Sequence, residues 1–243
     1  QEGLDAIAVT VRNIEQLREG ESGSLGISTG GTTVKHFMRS TVVRFHHQYP
    51  RVSLYFQSAN SHRRCIEALR QEKADLAFIT MSSAMRGIDQ HPLMEMPWVL
   101  VVPEKDSLSK RKSFEVSDLK GINYISLKES STSQSLLKSA LVDSMITLKS
   151  STQVDDWDTA ILFVGMGMGY AIAPALHAYQ LSRECGVVGI PLKGVPPVVF
   201  GWAARKWNSM SRVTKDFVTI FTDEMSQIND IPGFQVFPLT KVK

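Results

Sequence analysis

GSLGISTGGTTVKHFMRSTVVRFHHQYP, Gly23 to Pro50, decides how the rest of the chain is read. It begins as a short strand, passes through a turn made almost wholly of Gly, Ser and Thr, and continues as an amphipathic helix. Val34, Phe37, Met38, Thr41, Val42 and Phe45 recur at helical spacing and give that helix one apolar face. The polar turn therefore stands at the carboxyl end of a strand and at the start of a helix. The first N–H groups of a helix lack internal partners and carry the positive end of its dipole. A lip of hydroxyls around them suits a small anion or a polar small molecule, which suggests a receptor more than a catalyst.

From Pro50 onward the same strand–helix rhythm repeats. Val52, Leu54 and Phe56 alternate with Ser53 and Tyr55 as in a strand, and His62, Cys65, Ile66 and Leu69 mark a helix that Asn60 or Ser61 can cap. Asp75–Thr80 and Trp98–Pro103 read as buried strands. Continuous apolar runs alternating with helices predict a mainly parallel sheet. Glu104 to Gly121 is polar and Lys/Ser-rich, which predicts a crossing between lobes. A second unit follows: strand Asn123–Leu127, a hydroxyl turn at Ser130–Ser133, and a helix carrying Leu136, Leu137, Ala140 and Leu141. Further strands are predicted at Thr152–Val154, Tyr170–Ala173 and Val187–Pro191, with a helix at Asp156–Gly165 and a second crossing at Pro196–Trp202. A helix from Ser211 to Ile228, with Val213, Phe217, Ile220, Phe221 and Met225 on one face, closes the pattern. Two crossings imply two lobes with a cleft between them, where ligands tend to bind.

Ahead of the first strand, Leu4, Ile7, Ala8, Val11, Ile14 and Leu17 form a near-heptad stripe. It predicts an amphipathic helix that packs on another chain or on an upstream domain; a helix lying on the globular body is the other reading. The chain starts at Gln1 rather than Met, so an upstream segment is expected to have been removed.

With 243 residues, 43% apolar and 21% charged, the composition is that of an ordinary globular protein able to bury a core. No apolar run reaches the length of a membrane span and no secretory leader is evident. A net charge of +3 is too small for a nucleic-acid footprint. The cluster Lys105, Lys110, Arg111 and Lys112 reads as a solvated loop. Cys65 and Cys185 stand alone and read as reduced thiols rather than a redox pair. The histidines lack metal-ligand spacing and are expected at the surface or at caps, so neither metal nor cofactor is expected.

Two glycine motifs mislead. Gly26-Ile27-Ser28-Thr29-Gly30 fits the nucleophile elbow G-x-S-x-G, with Asp155 or Asp158 and then His177 in the order of a triad. The elbow would lie on the first strand, with nothing upstream to build an oxyanion hole. Val164–Pro174, VGMGMGYAIAP, resembles a nucleotide loop but runs from helix to strand, the reverse of a dinucleotide fingerprint. Helix termination by glycine ahead of a buried strand accounts for it. The hydroxyl turns at Ser28–Thr33 and Ser130–Ser133 fit an oxyanion held between lobes equally as well as two ordinary N-caps.

The order of these pieces resembles the effector-binding domain of LysR-type transcriptional regulators. The residues that carry the likeness are Gly23–Ile27 with its polar turn, Phe45-His46-His47-Gln48-Tyr49-Pro50-Arg51-Val52, Leu69 followed by Lys73–Phe78, and Val164–Pro174. The resemblance implies an α/β fold of two Rossmann-like lobes joined by two crossing segments, like a type 2 periplasmic binding protein. It places a linker and dimerisation helix at 1–22, lobe I at 23–102 and 198–230, lobe II at 103–197, and an unassigned tail at 231–243. It implies ligand contacts at Ser28, Thr29, Gly30, Thr32 and Thr33, at Thr80 and Met81, and at Val101 and Val102. In lobe II it implies Ser131, Thr132 and Ser133, then Asp155 and Trp157. Gln134 stands where many members have an arginine, which argues against a large aromatic or dicarboxylic ligand. The function implied is a cytoplasmic, non-enzymatic sensor of a small, anionic effector, acting as a homodimer or homotetramer. DNA would be reached only through a winged helix-turn-helix that this chain lacks. A free-standing solute-binding protein of a transporter is the alternative, and a Ser28 hydrolase the third reading.

Overall fold

A computed structural model describes residues 23–59, 61–128 and 131–238. The expected linker helix at 1–22 and the last five residues of the tail lie outside them. Twelve strands are described: β1 Gly23–Thr29, β2 Val52–Ser58, β3 Leu76–Thr80, β4 Asp89–Met96, β5 Trp98–Pro103, β6 Phe114–Glu115, β7 Tyr124–Leu127, β8 Ser150–Val154, β9 Ala171–Pro174, β10 Val187–Lys193, β11 Val198–Ala204 and β12 Gln235–Val236. The helices are α1 Gly31–Phe37, α2 Arg39–Gln48, α3 His62–Arg70, α4 Thr132–Asp143, α5 Trp157–Gly165, α6 Ala175–Cys185 and α7 Arg212–Ser226.

Lobe I is a six-stranded sheet in the order β12-β4-β11-β3-β1-β2. Lobe II holds a four-stranded sheet, β6-β10-β5-β9, and the pair β7-β8, which a bridge between Tyr124 and Tyr170 joins to it. Among the described strands, parallel ladders join β1 to β2 and β3, β6 to β10, and β7 to β8, and the Tyr124–Tyr170 bridge is parallel too. β11 runs antiparallel to β3 and β4, β4 to β12, and β5 to β9 and β10. The sheets are thus mixed, not mainly parallel. A strand covered on both faces is apolar throughout whichever way it runs, so the apolar runs carried no information on direction.

The first crossing also differs from the sequence reading. Only Pro97 separates β4 of lobe I from β5 of lobe II, so Trp98–Val102 belong to lobe II. The polar segment 104–121 lies within lobe II, where β6 extends the sheet beside β10. Its Arg111 is held by Asp118 at 2.7 Å and lies 4.2 Å over the Phe114 ring, which makes it part of the packing. The return crossing is the stretch 194–197, since Val198 already pairs in β11. Trp98 Nε1 donates to the Pro196 carbonyl at 3.0 Å and ties the two crossings side by side.

β4 escaped the sequence reading because His91-Pro92 interrupts its pattern. Pro92 sits where the register with β11 shifts at Gly201, a place where a strand tolerates a missing N–H. A Cβ on Gly201 would stand 2.2 Å from the His91 carbonyl oxygen, so the close approach requires glycine. The predicted single helix after the first turn is divided at Met38 (φ −111°, ψ 0°). Its apolar face still buries Phe37, Met38 and Phe45.

Phe78, Trp202, Phe217 and Phe221 form the centre of lobe I, with Phe78 4.9 Å from both Trp202 and Phe221 and Phe45 5.1 Å from Phe217. Edge-to-face pairs of this kind contribute about 0.5–1.5 kcal/mol each beyond burial. In lobe II, α5 ends in a Schellman motif: Met168 N donates to Phe163 O at 3.1 Å and Gly167 N to Val164 O at 2.8 Å, with Gly167 at φ +77°. The glycine-rich stretch thus terminates a helix and feeds β9, as the sequence suggested. The tail contributes β12 beside β4, buries Ile231, and donates Phe237 N to Leu93 O at 2.7 Å.

Candidate functional site

A cavity of about 100 Å³ lies between the lobes, where the starts of four helices converge. α1 begins after Gly30, which has no side-chain cap to offer. Ser61 caps α3 by accepting from Arg64 N at 3.3 Å, and Asp156 caps α5 by accepting from Thr159 N at 2.8 Å. Ser131 accepts from Gln134 N at 3.4 Å at the start of α4. Strand ends and hydroxyl-rich turns put these helix starts on one cleft because each follows the carboxyl end of a strand.

Gly30, Thr32, Thr33 and Thr80 line the cavity from lobe I. Ser131, Thr132, Ser133, Asp155 and Trp157 line it from lobe II. Five further candidates are placed elsewhere. Ser28 is fully buried in β1, and its Oγ has no hydrogen-bond partner among the described residues. Thr29 is buried too and donates Oγ1 to Phe78 O at 2.8 Å. Met81 follows β3 and packs on the cluster around Ile79 and Ala203. Val101 and Val102 are sealed inside the lobe II sheet, a consequence of the crossing falling at Pro97. A sealed hydroxyl with no partner among the described residues gives the Ser28 hydrolase no support.

The cavity takes residues the sequence did not nominate: Ser61, His62, Asp156 and His177, with Phe78 and Phe200 as apolar wall. Histidines were expected at the surface or at caps, yet His36, His62 and His177 are all buried, His62 at the start of α3. Imidazole is largely apolar surface, and a partner two lobes away leaves no local mark in sequence. Gln134 points away from the cavity and accepts from Tyr124 Oη at 3.0 Å and Leu127 N at 3.3 Å, bracing α4 against β7.

Two sets of polar side-chain contacts stand out among those that join the lobes. On the cavity wall, Thr80 Oγ1 and Ser133 Oγ are 2.9 Å apart. Behind it, His36 Nε2 donates to Asp158 at 2.6 Å and Lys35 Nζ to its other oxygen at 2.8 Å. Gln180 Nε2 donates to the His36 carbonyl at 2.7 Å, which turns Oε1 toward His36 Nδ1 at 2.8 Å. Burial pushes the Asp158 carboxyl up, but the His36 and Lys35 hydrogen bonds outweigh it and hold the group at about 2.

No lysine or arginine lines the cavity among the described residues. Burial lowers His62 against the opposing effect of the Thr80 carbonyl, and burial with nearby His36 takes His177 to about 3. Both rings are neutral at pH 7. Lys128 reaches Asp155 at 2.7 Å, but both side chains are more than half exposed, so the pair contributes little. Positive potential in the cavity therefore comes from helix starts rather than from formal charge. Both cysteines are free, and burial raises each thiol, which disfavours the thiolate that redox sensing needs. Among the described residues no cluster of His, Cys, Asp and Glu could hold a metal ion, and no helix is long and apolar enough to cross a membrane.

The LysR substrate binding domain family matches residues 18–226. The transcriptional regulator DgcR of Pseudoalteromonas sp is 24% identical over 228 residues, which is 92% of this chain and 76% of that protein. The uncharacterized regulator YbhD of Escherichia coli K12 is 24% identical over 226 residues, 90% of this chain and 70% of that one. In fold, the chain is similar to the effector binding domain of QuiR in complex with shikimate (TM-score 0.72, 20% identity, covering 83% of this chain and 96% of that one). It is also similar to a reduced form of OxyR from N. meningitidis (TM-score 0.73, 16% identity, covering 89% and 100%). These relatives support an effector-sensing regulatory domain and give none to a transporter's solute-binding protein or a hydrolase. With its two lobes, its inter-lobe cavity and this match over most of its length, the chain belongs to the LysR substrate-binding domain family.

Proposed function

We propose that this domain binds a small anion or polar acid between its lobes and converts occupancy into a change of inter-lobe angle. The observation that carries the reading is the Thr80–Ser133 hydrogen bond across the cavity wall, since a ligand seated there touches both lobes at once. Anchoring falls to hydroxyls of Thr32, Thr33, Ser131, Thr132 and Ser133 and to the N–H groups at the starts of α1 and α4. A cavity this size, with no guanidinium, suits a compact ligand rather than an aromatic or dicarboxylic acid. Such a ligand controls the protein only if it favours one lobe arrangement over another.

In the whole regulator that shift would be passed through the 1–22 segment to DNA-binding domains held in a cytoplasmic homodimer or homotetramer. The domain itself would sense and not catalyse. Native mass spectrometry of the purified chain, followed by denaturation to identify any released molecule, tests this. A dimer or tetramer releasing a small acid supports the reading. A ligand-free monomer that titrates with no small anion overturns it.

A further inference from the structure

One residue that lines the cavity carries a buried ring nitrogen that the protein leaves without a partner. His62 Nδ1 lies 3.1 Å from the Thr80 carbonyl, which can only accept, so this contact favours the ring proton on Nδ1. Ser82 Oγ, also 3.1 Å from Nδ1, then accepts as well. That tautomer leaves Nε2 as a bare lone pair, and Nε2 is buried with no partner among the described residues. His62 is 7% exposed and lines the cavity. A second ring nitrogen there, His177 Nδ1, is likewise unpartnered. Across the cleft stand the carboxylates of Asp155 and Asp156, which accept and cannot donate. Lys128 reaches Asp155 from the exposed side, and no lysine or arginine in the described lining answers the ring nitrogens. A buried acceptor left unmet is costly, and a ligand that meets it gains accordingly.

We infer that the ligand is a short hydroxy or amino carboxylic acid, whose hydroxyl or ammonium group donates to His62 Nε2 while its carboxylate takes the hydroxyls at the start of α4. The inference rests on the anion-binding reading above and narrows it: an acid lacking such a donor leaves Nε2 unmet and is discriminated against.

The first measurement is 15N-histidine NMR of the ligand-free chain. His62 should show the Nδ1–H tautomer with Nε2 unprotonated, and an Nε2–H signal overturns the inference. Calorimetry at neutral pH then compares propionate with lactate and alanine, the latter two as both enantiomers. Lactate or alanine should bind roughly tenfold more tightly than propionate and move the His62 Nε2 resonance. In His62→Phe the gap should shrink to within about twofold. Equal binding of propionate by the parent chain overturns this inference and leaves the anion reading standing. Failure of all these acids to bind overturns the inference, and failure of phosphate and sulfate as well removes the anion reading with it.

Discussion

Replacing Asp158 with alanine should loosen the lobes more than any surface change of equal size. The carboxylate, 23% exposed, accepts from His36, whose side chain is 3% exposed, and from Lys35, which is 55% exposed. A buried hydrogen bond to a charged group contributes about 1.5–3 kcal/mol, and its loss strands a buried imidazole N–H. The Lys35 bond, screened by water, adds about 0.5 kcal/mol or less. Together about 2–3 kcal/mol should disappear, or roughly 5–10 °C in melting temperature for a domain of this size. The carboxyl's own titration gives a similar magnitude: a fall from 3.8 unfolded to about 2 folded corresponds to about 2 kcal/mol. Because the folded value is the lower one, this stabilisation is complete above pH 4 and is lost as pH falls through about 2. Scanning calorimetry of parent, Asp158→Ala and Lys35→Met from neutral pH down to about pH 2 covers the interval. The reasoning is refuted if Asp158→Ala melts within about 1 °C of the parent, or if Lys35→Met is equally costly.

Ser133→Ala removes the cross-cavity bond to Thr80 and should weaken ligand affinity about fivefold, read by calorimetry, with little change in melting temperature. Gly165→Ala brings a Cβ to 2.1 Å from the Cys185 carbonyl oxygen and should cost about 3 kcal/mol or more in urea unfolding. Gly167→Ala, at φ +77° but in open space, should cost only about 1–2 kcal/mol. His177 is neutral in the fold down to about pH 3, whereas the unfolded chain takes up its proton near 6.5, so stability should fall as pH drops across that interval. In His177→Leu the slope of unfolding free energy against pH over the same range should be shallower.

The strand–turn–helix units were legible because each carries its own local signal. Ile27 to Phe45 shows a strand, a hydroxyl turn and an apolar helical stripe within one window. The order of lobe elements followed from the same local units. Strand direction was not legible, because β5 is apolar on both faces whether it pairs parallel or antiparallel. The crossing at Pro97 was missed because β4 before it, DQHPLMEM, does not read as a strand, while the polar stretch after Glu104 looks like a linker. Of the cavity residues, the hydroxyls at helix starts were found because N-caps have a residue preference. His62 and His177 were not, since what makes them matter is a carbonyl or a ring brought from distant parts of the chain.

The placing of Trp157 has an optical consequence. Its indole lines the cavity, stands 6.2 Å from that of Trp98, and lies 6.4 Å from the His177 ring. Trp98 in turn is bonded to the return crossing at Pro196. The remaining tryptophans are set apart, Trp202 in the lobe I core and Trp207 stacked 3.9 Å on His91. One chromophore pair therefore runs from the cavity wall to the crossing segments. Both members belong to lobe II, so entry of a solute should change the polarity around Trp157, while a turn of the lobes should reach the pair only through the Trp98 bond to Pro196. Near-ultraviolet dichroism and emission wavelength should separate seating from closure without any label attached.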